Sequence, residues 1–166
     1  LYVACSILLE QSALQGSLSG LPRTKDERMA ELPWYSEGLK FQCSQCGDCC
    51  TGAPGYVWVN NDEIAALAKQ KEMDVEAFED TYVRRVGIRK SLIEFPNGDC
   101  VFFDTESRKC TVYDARPRQC RTWPFWDSNL RNVIAWHQTC EVCPGSGKGK
   151  LHKLEQIEEQ RKIVKV

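Results

Sequence analysis

The segment that most constrains this chain is residues 43–50, which hold four cysteines in the pattern Cys-x-x-Cys-x-x-Cys-Cys. Two intervening residues let a tight turn direct two sulfurs to one point. Gly47 lies inside the run, and a glycine takes the positive φ of such a turn without steric cost. Because the side chains of adjacent residues usually diverge, we expect Cys50 to leave the site of Cys49 and serve a second one or act as a reserve thiol.

The whole chain has ten cysteines in 166 residues. Cys5 stands alone near the start and is excluded from the predicted site, whereas a closing Cys-x-x-Cys pair is followed by Pro144. The remaining nine are the candidate metal ligands, namely Cys43, Cys46, Cys49, Cys50, Cys100, Cys110, Cys120, Cys140 and Cys143.

These nine cysteines divide by spacing into two candidate sets. The first set is built on the triplet Cys43, Cys46 and Cys49, with Cys120 or Cys143 as the fourth ligand. The second set draws on four cysteines from separate parts of the chain, namely Cys50, Cys100, Cys110 and Cys140. Eight thiols would fill two four-thiolate centres and leave one spare.

Three kinds of sulfur chemistry fit such a density of cysteines. Disulfides require an oxidising compartment, and an odd number of clustered thiols leaves one unpaired. Structural zinc and iron–sulfur clusters both take thiolates four at a time. The C-x2-C-x2-C run and the Cys143-Pro144 pair favour an iron–sulfur cluster, of the 4Fe-4S type, and zinc remains the alternative.

Basic and aromatic residues surround Cys120. Thiolates around a metal carry excess negative charge that is costly near a core. Arg116 and Arg121 bracket Cys120 and are the candidates for neutralising that charge or donating hydrogen bonds to sulfur. The aromatic residues of 123–126 would exclude water from the site or serve as ordinary core.

Charge and hydropathy exclude several classes of partner. The chain carries 22 basic and 23 acidic residues, a net charge of −1, which argues against a nucleic-acid module held by phosphate contacts. The apolar run of residues 1–9 is too short for a bilayer, which needs roughly 20 residues, and lacks the features of a secretory signal. We expect no membrane or nucleic-acid partner and a cytoplasmic, reducing location.

The predicted fold is α+β: a small, cysteine-rich, metal-stapled domain with a short antiparallel β-meander and several helices. We expect an N-terminal extension over 1–33, the metal-binding domain over 34–150 and a charged surface helix over 151–166. Residues 145–149 read as a flexible hinge because of their glycines.

Local signals place the individual elements. A short helix is predicted over 24–32 and a strand over 56–59, and Asn60 and Glu63 form a capping-box pattern for the next helix. A second helix begins near Asp74, with Val75, Phe78 and Tyr82 on its buried side. The meander comprises residues 91–95, 101–103 and 111–113, with a turn at 96–99, and Asp114 caps a helix over 116–121.

Taken together, these motifs resemble the bacterial cysteine-cluster family described as a zinc- or iron-chelating domain (CxxCxxCC, YkgJ-like). The similar segments, in order, are residues 41–50, 55–59, 63–64, 100–104, 110–113, 116–125 and 140–145. The resemblance covers residues 34–150, and it implies metal chelation by the cysteines.

Three functional hypotheses remain open. The first is a protein that binds one or two metal centres. The second is an electron-transfer or thiol-redox enzyme, for which Cys120 beside Arg121 is the candidate reactive thiol. The third is a metal-stapled adaptor for a protein partner. No hydrolase or transferase signature is found in the sequence.

Overall fold

The computed structural model of the protein describes residues 32–166. In this structure, two helices follow the cysteine run along the chain. They are α1 (Asn61–Gln70) and α2 (Val75–Tyr82). The Asn60 side chain accepts the Glu63 backbone N–H at 2.9 Å, and the Glu63 carboxylate accepts the Asn60 N–H at 2.9 Å. The predicted capping box is therefore confirmed, and it fixes where α1 begins.

The buried side of α2 matches its prediction in part. Phe78 is fully buried, and the Tyr82 ring lies 5.0 Å from the Phe78 ring. The prediction is wrong for Val75, which is 45% exposed because the first turn of α2 lies at the solvent-facing end of the helix.

A three-stranded antiparallel sheet packs beside these helices. It consists of β2 (Val57–Val59), β3 (Val83–Val86) and β4 (Arg89–Leu92), in the order β2-β4-β3. The predicted strand over 56–59 is thereby confirmed. β3 was not predicted, because its sequence Val-Arg-Arg-Val lacks the alternation of a half-buried strand and follows directly on α2 without a turn signal.

The predicted meander forms only in part, because residues 91–92 belong to β4 of the three-stranded sheet, and the strand predicted over 111–113 is wrong, since Tyr113–Ala115 form a 3-10 helix. Its paired strands are β5 (Phe103–Asp104) and β6 (Lys109–Cys110), and an isolated bridge joins Glu94 to Cys100. The turn at 96–99 is confirmed, with Gly98 at φ +89°.

Strand β1 (Leu39–Phe41) pairs with β7 (Lys150–His152), which brings the two ends of the described chain together. The hinge prediction for 145–149 is wrong, because this segment continues the pairing of β1. The Gly147 N–H donates to the Lys40 carbonyl at 2.9 Å. The backbone here is bonded rather than free.

The remaining helices lie on the C-terminal side of the fold. They are α3 (Arg118–Thr122), α4 (Asp127–Leu130), α5 (Val133–Val142) and α6 (Leu154–Ile163). The helix predicted over 116–121 begins two residues later, at Arg118, and Asp114 lies in a separate 3-10 turn without capping α3.

Two hydrophobic clusters support this arrangement. The first consists of Val59, Ile64, Leu67, Ala68, Phe78, Leu92, Phe102 and Val112. The second consists of Tyr35, Leu39, Phe125, Leu130, Trp136 and Ile157. Ile157 is fully buried, so one face of α6 packs into the second cluster instead of lying wholly on the surface.

The helices and small antiparallel sheets confirm the α+β class. Residues Pro33–Val166 form one unit. Cys5 and residues 24–31 of the predicted N-terminal helix lie outside the described residues. Across residues 32–166 no helix has the length and apolarity needed to cross a membrane.

Candidate metal centre

Eight of the nine candidate cysteines line one cavity of about 230 Å³. They are Cys43, Cys46, Cys49, Cys50, Cys100, Cys110, Cys120 and Cys143. All nine candidates are free thiols. Leu92, Phe102 and Val112 of the first hydrophobic cluster form part of the wall, so the thiols lie in apolar surroundings.

The cysteine run reaches this cavity through a loop that ends in a 3-10 turn, Asp48–Cys50. Gly47 precedes the turn with φ +80°, as its position in the run predicted, and its carbonyl accepts the Cys50 N–H at 2.8 Å. A side chain at Gly47 would meet the Phe103 ring and would lie 2.5 Å from the Arg108 carbonyl oxygen. The loop can therefore fold against the β5–β6 hairpin only with glycine at this position.

Gly47→Ala is expected to lower the free energy of unfolding by more than about 2 kcal/mol, since the left-handed backbone alone costs an alanine about 1–2 kcal/mol. Gly52→Ala is the matched control, because Gly52 also has a positive φ of +115° but has no atom within 4 Å of the added methyl group. Urea unfolding of both variants checks the prediction, and an equal loss in the two would contradict it.

Three of the cavity thiols interact with one another. The Cys50 thiol is hydrogen-bonded to the sulfurs of Cys110 and Cys49, which raises the pKa of Cys50. The same bonds lower the pKa of Cys110 to about 7 and lower the pKa of Cys49. Although we expected Cys49 and Cys50 to diverge, the structure keeps both side chains on the same cavity.

Two further thiols lie deeper in the protein. Burial raises the pKa of Cys100 to about 11 and also raises the pKa of Cys120. The Cys100 N–H donates to the Cys50 carbonyl at 2.7 Å. This bond links the segment that follows the turn at 96–99 to the cysteine run. The raised pKa of Cys120 is opposite in direction to the lowered pKa that a reactive thiol would have.

The two predicted arginines occupy different positions. Arg116 lines the cavity, its Nε donates to the Tyr113 carbonyl at 2.7 Å, and its charge lowers the pKa values of Cys49 and Cys110. Arg121 lies outside the cavity wall and donates to the Arg116 carbonyl oxygen. Arg116 therefore lines the cavity with the thiols, whereas Arg121 bonds to the Arg116 backbone from outside the cavity wall.

Tyr113 is a site residue that the sequence analysis did not single out. Its hydroxyl donates to the Cys43 sulfur at 3.6 Å, and its ring centroid lies 3.4 Å from the Arg116 guanidinium carbon. The one sequence signal was its place in the segment 110–113, three residues after Cys110.

The closing pair of cysteines separates. Cys143 is buried and lines the cavity, held near Cys43 because the Gln42 N–H donates to the Gly145 carbonyl at 3.2 Å. Cys140 does not line the cavity; it packs against the second hydrophobic cluster. The structure thus distinguishes Cys140 from the other eight candidates.

The donor set fits a thiophilic metal. Buried thiolates are costly without a cation, and metal ligation deprotonates a thiol outright. Within residues 32–166, no three His, Cys, Asp or Glu side chains already stand at metal-ligand spacing. The candidate ligands are therefore identified by their shared cavity, not by a preformed coordination shell.

The sequence profile of one family matches residues 42–144, which include every cysteine of the cavity. The uncharacterized protein MJ0661 of Methanocaldococcus jannaschii is 30% identical over 91 residues, 55% of this chain. The match spans 48% of that relative, about half its length. No solved structure matches the chain. The chain belongs to the CxxCxxCC family, whose description is "putative zinc- or iron-chelating domain".

Proposed function

We propose that this protein binds a polynuclear metal centre, an iron–sulfur cluster or a multi-zinc site, through the eight thiols of the cavity. The single observation that carries the proposal is the convergence of these thiols, from five separate parts of the chain, on about 230 Å³ of space. One water molecule has a share of roughly 30 Å³ in the liquid. The cavity is therefore large for one ion and suits several metal atoms.

The chain's own residues have distinct roles in this proposal. Cys49, Cys50 and Cys110, whose side-chain hydrogen bonds shift one another's pKa values, form one group of ligands together with Cys100 and Cys120. The set of eight is completed by Cys43, Cys46 and Cys143. A bound iron–sulfur cluster would supply one-electron transfer, whereas zinc would supply structure alone.

The charge of Arg116 and the packing of Cys140 also support this assignment of the ligands. Arg116 offsets the negative charge that thiolates bring into the cavity, and Tyr113 donates to the Cys43 sulfur. Cys140 is the spare thiol, because it behaves as a small apolar residue of the second cluster. Ligand sets assembled from distant segments require the chain to fold around the metal, so binding and folding are coupled.

Metal content of protein purified without oxygen tests the proposal. Elemental analysis and an absorption spectrum of the wild-type chain are expected to show bound metal, with visible absorption if iron and sulfide are present. Cys110→Ser should lose most of the metal, and Cys140→Ser should retain it. A folded, metal-free wild type would sink the proposal, and equal loss in both variants would overturn the assignment of Cys140.

A further inference from the structure

Five buried side-chain polar atoms have no hydrogen-bond partner among the described residues. Three are the Nε atoms of Arg84, Arg118 and Arg161, whose guanidinium groups each lie in an ion pair. The fourth is the Ser146 hydroxyl. The fifth is the indole Nε1 of Trp123, and of the five residues only Trp123 forms part of the wall of the cysteine cavity.

The neighbouring indole of Trp126, in the same loop, has acceptors for its N–H group. The Trp126 ring lies 4.8 Å from the Trp123 ring at an angle of 83°. Its Nε1–H donates to the Gln119 carbonyl at 3.1 Å and to the Thr122 hydroxyl at 3.2 Å. Within residues 32–166, acceptors are thus present for one indole and absent for the other.

An indole N–H can only donate, so Trp123 has no alternative means of satisfying this group. Buried donors without acceptors are rare and cost free energy. Eight cysteines share the cavity wall with Trp123, beside the possible oxygen acceptors of Ser44, Gln45, Tyr113 and Asp114, none of which bonds to the indole; thiols are weak acceptors. Once metal binding deprotonates them, thiolate sulfurs become charged acceptors of much greater strength.

We infer that the Trp123 indole N–H donates a hydrogen bond to a metal-bound sulfur and so acts as a positioning residue for the centre. This inference rests on the proposed function. Hydrogen bonds of this kind orient ligands and tune the metal they hold. Trp123 would then act together with Tyr113 and Arg116, which lie at the other end of the segment 113–123 and also line the cavity.

Zinc affinity of the metal-stripped chain provides the first test. Trp123→Phe keeps an aromatic ring in the wall but removes the donor, and it should weaken Zn²⁺ binding by about tenfold. Trp58→Phe is the control, since Trp58 stacks on Tyr56 outside the cavity wall and its loss should leave the affinity unchanged. Equal affinities of wild type and Trp123→Phe would contradict the inference.

Proton–nitrogen NMR of the five indole groups provides the second test, and it needs only the wild-type chain. Addition of Zn²⁺ should move the Trp123 N–H signal downfield and slow its exchange with solvent, while the Trp58 signal stays in place. The contacts of its ring with Trp126 assign the signal even if the variant fails to fold. A signal that stays unmoved in a zinc-bound chain overturns the inference alone, whereas a wild type that takes up no Zn²⁺ and is also free of metal after purification without oxygen overturns the proposed function with it.

Discussion

Removal of the metal is expected to lower the thermal midpoint of unfolding by roughly 10–20 °C. A ligand that binds only the folded state at about 1,000 times its Kd adds about 4 kcal/mol of stability. The effect should be this large because the eight candidate ligands join segments that are otherwise held by two separate hydrophobic clusters. Thermal unfolding with excess metal and with chelator measures the difference.

The control for this prediction is a variant that has lost a cavity thiol. Cys110→Ser should unfold at the same temperature with and without chelator, whereas Cys140→Ser should respond to chelator as the wild type does. The prediction is contradicted if the wild-type midpoint is the same in metal and in chelator. It is also contradicted if chelator destabilises Cys110→Ser as strongly as the wild type.

Phe78→Ala is expected to destabilise the protein by about 3–5 kcal/mol, the usual cost of removing a fully buried phenylalanine. The Phe78 ring is completely buried and lies 5.9 Å from the ring of Phe102. Because Phe102 also lines the cysteine cavity, the loss of packing should reach the metal centre. Denaturant unfolding of the metal-stripped chain measures the core contribution by itself.

Val75→Ala is the matched control on the same helix. Val75 is 45% exposed, so its truncation should change stability by less than about 0.5 kcal/mol. Metal content of Phe78→Ala then reports whether the packing of Phe102 supports the site. Similar unfolding free energies for the two variants would contradict the account of the first hydrophobic cluster.

Local signals in the sequence predicted much of the secondary structure. The capping box of Asn60 and Glu63, the positive φ of Gly47 and the turn at Gly98 depend on neighbouring residues in the chain, and all three are confirmed. The α+β class followed from the same signals. Such features are determined within a few residues and need no knowledge of the tertiary fold.

Long-range pairing explains where the sequence analysis was wrong. The glycines of residues 145–149 predicted a flexible segment. Strand β1 lies beside this segment, however, and the backbone groups of the two form hydrogen bonds with each other. Likewise, Ile157 is buried because α6 folds back against the second cluster. Neither contact has a signal in the residues that surround it in the chain.

The candidate site likewise has features that the local sequence predicts and features that depend on the tertiary fold. Spacing identified the nine cysteines, but it could not separate Cys140 from Cys143, which share one Cys-x-x-Cys motif. Cys140 lies within helix α5 and Cys143 just beyond its end, so the two residues follow different backbone paths and only Cys143 lines the cavity. The unpartnered indole of Trp123 is visible only when every possible acceptor around it is known.

X-ray absorption at the metal edge of the loaded protein tests the central claim most directly, because it counts the atoms bound to the metal. We expect a first shell of sulfur alone, about four per metal, at roughly 2.3 Å if the metal is zinc. Cys140→Ser should leave this shell unchanged. A shell dominated by nitrogen or oxygen would contradict the claim that the cavity thiols hold the metal.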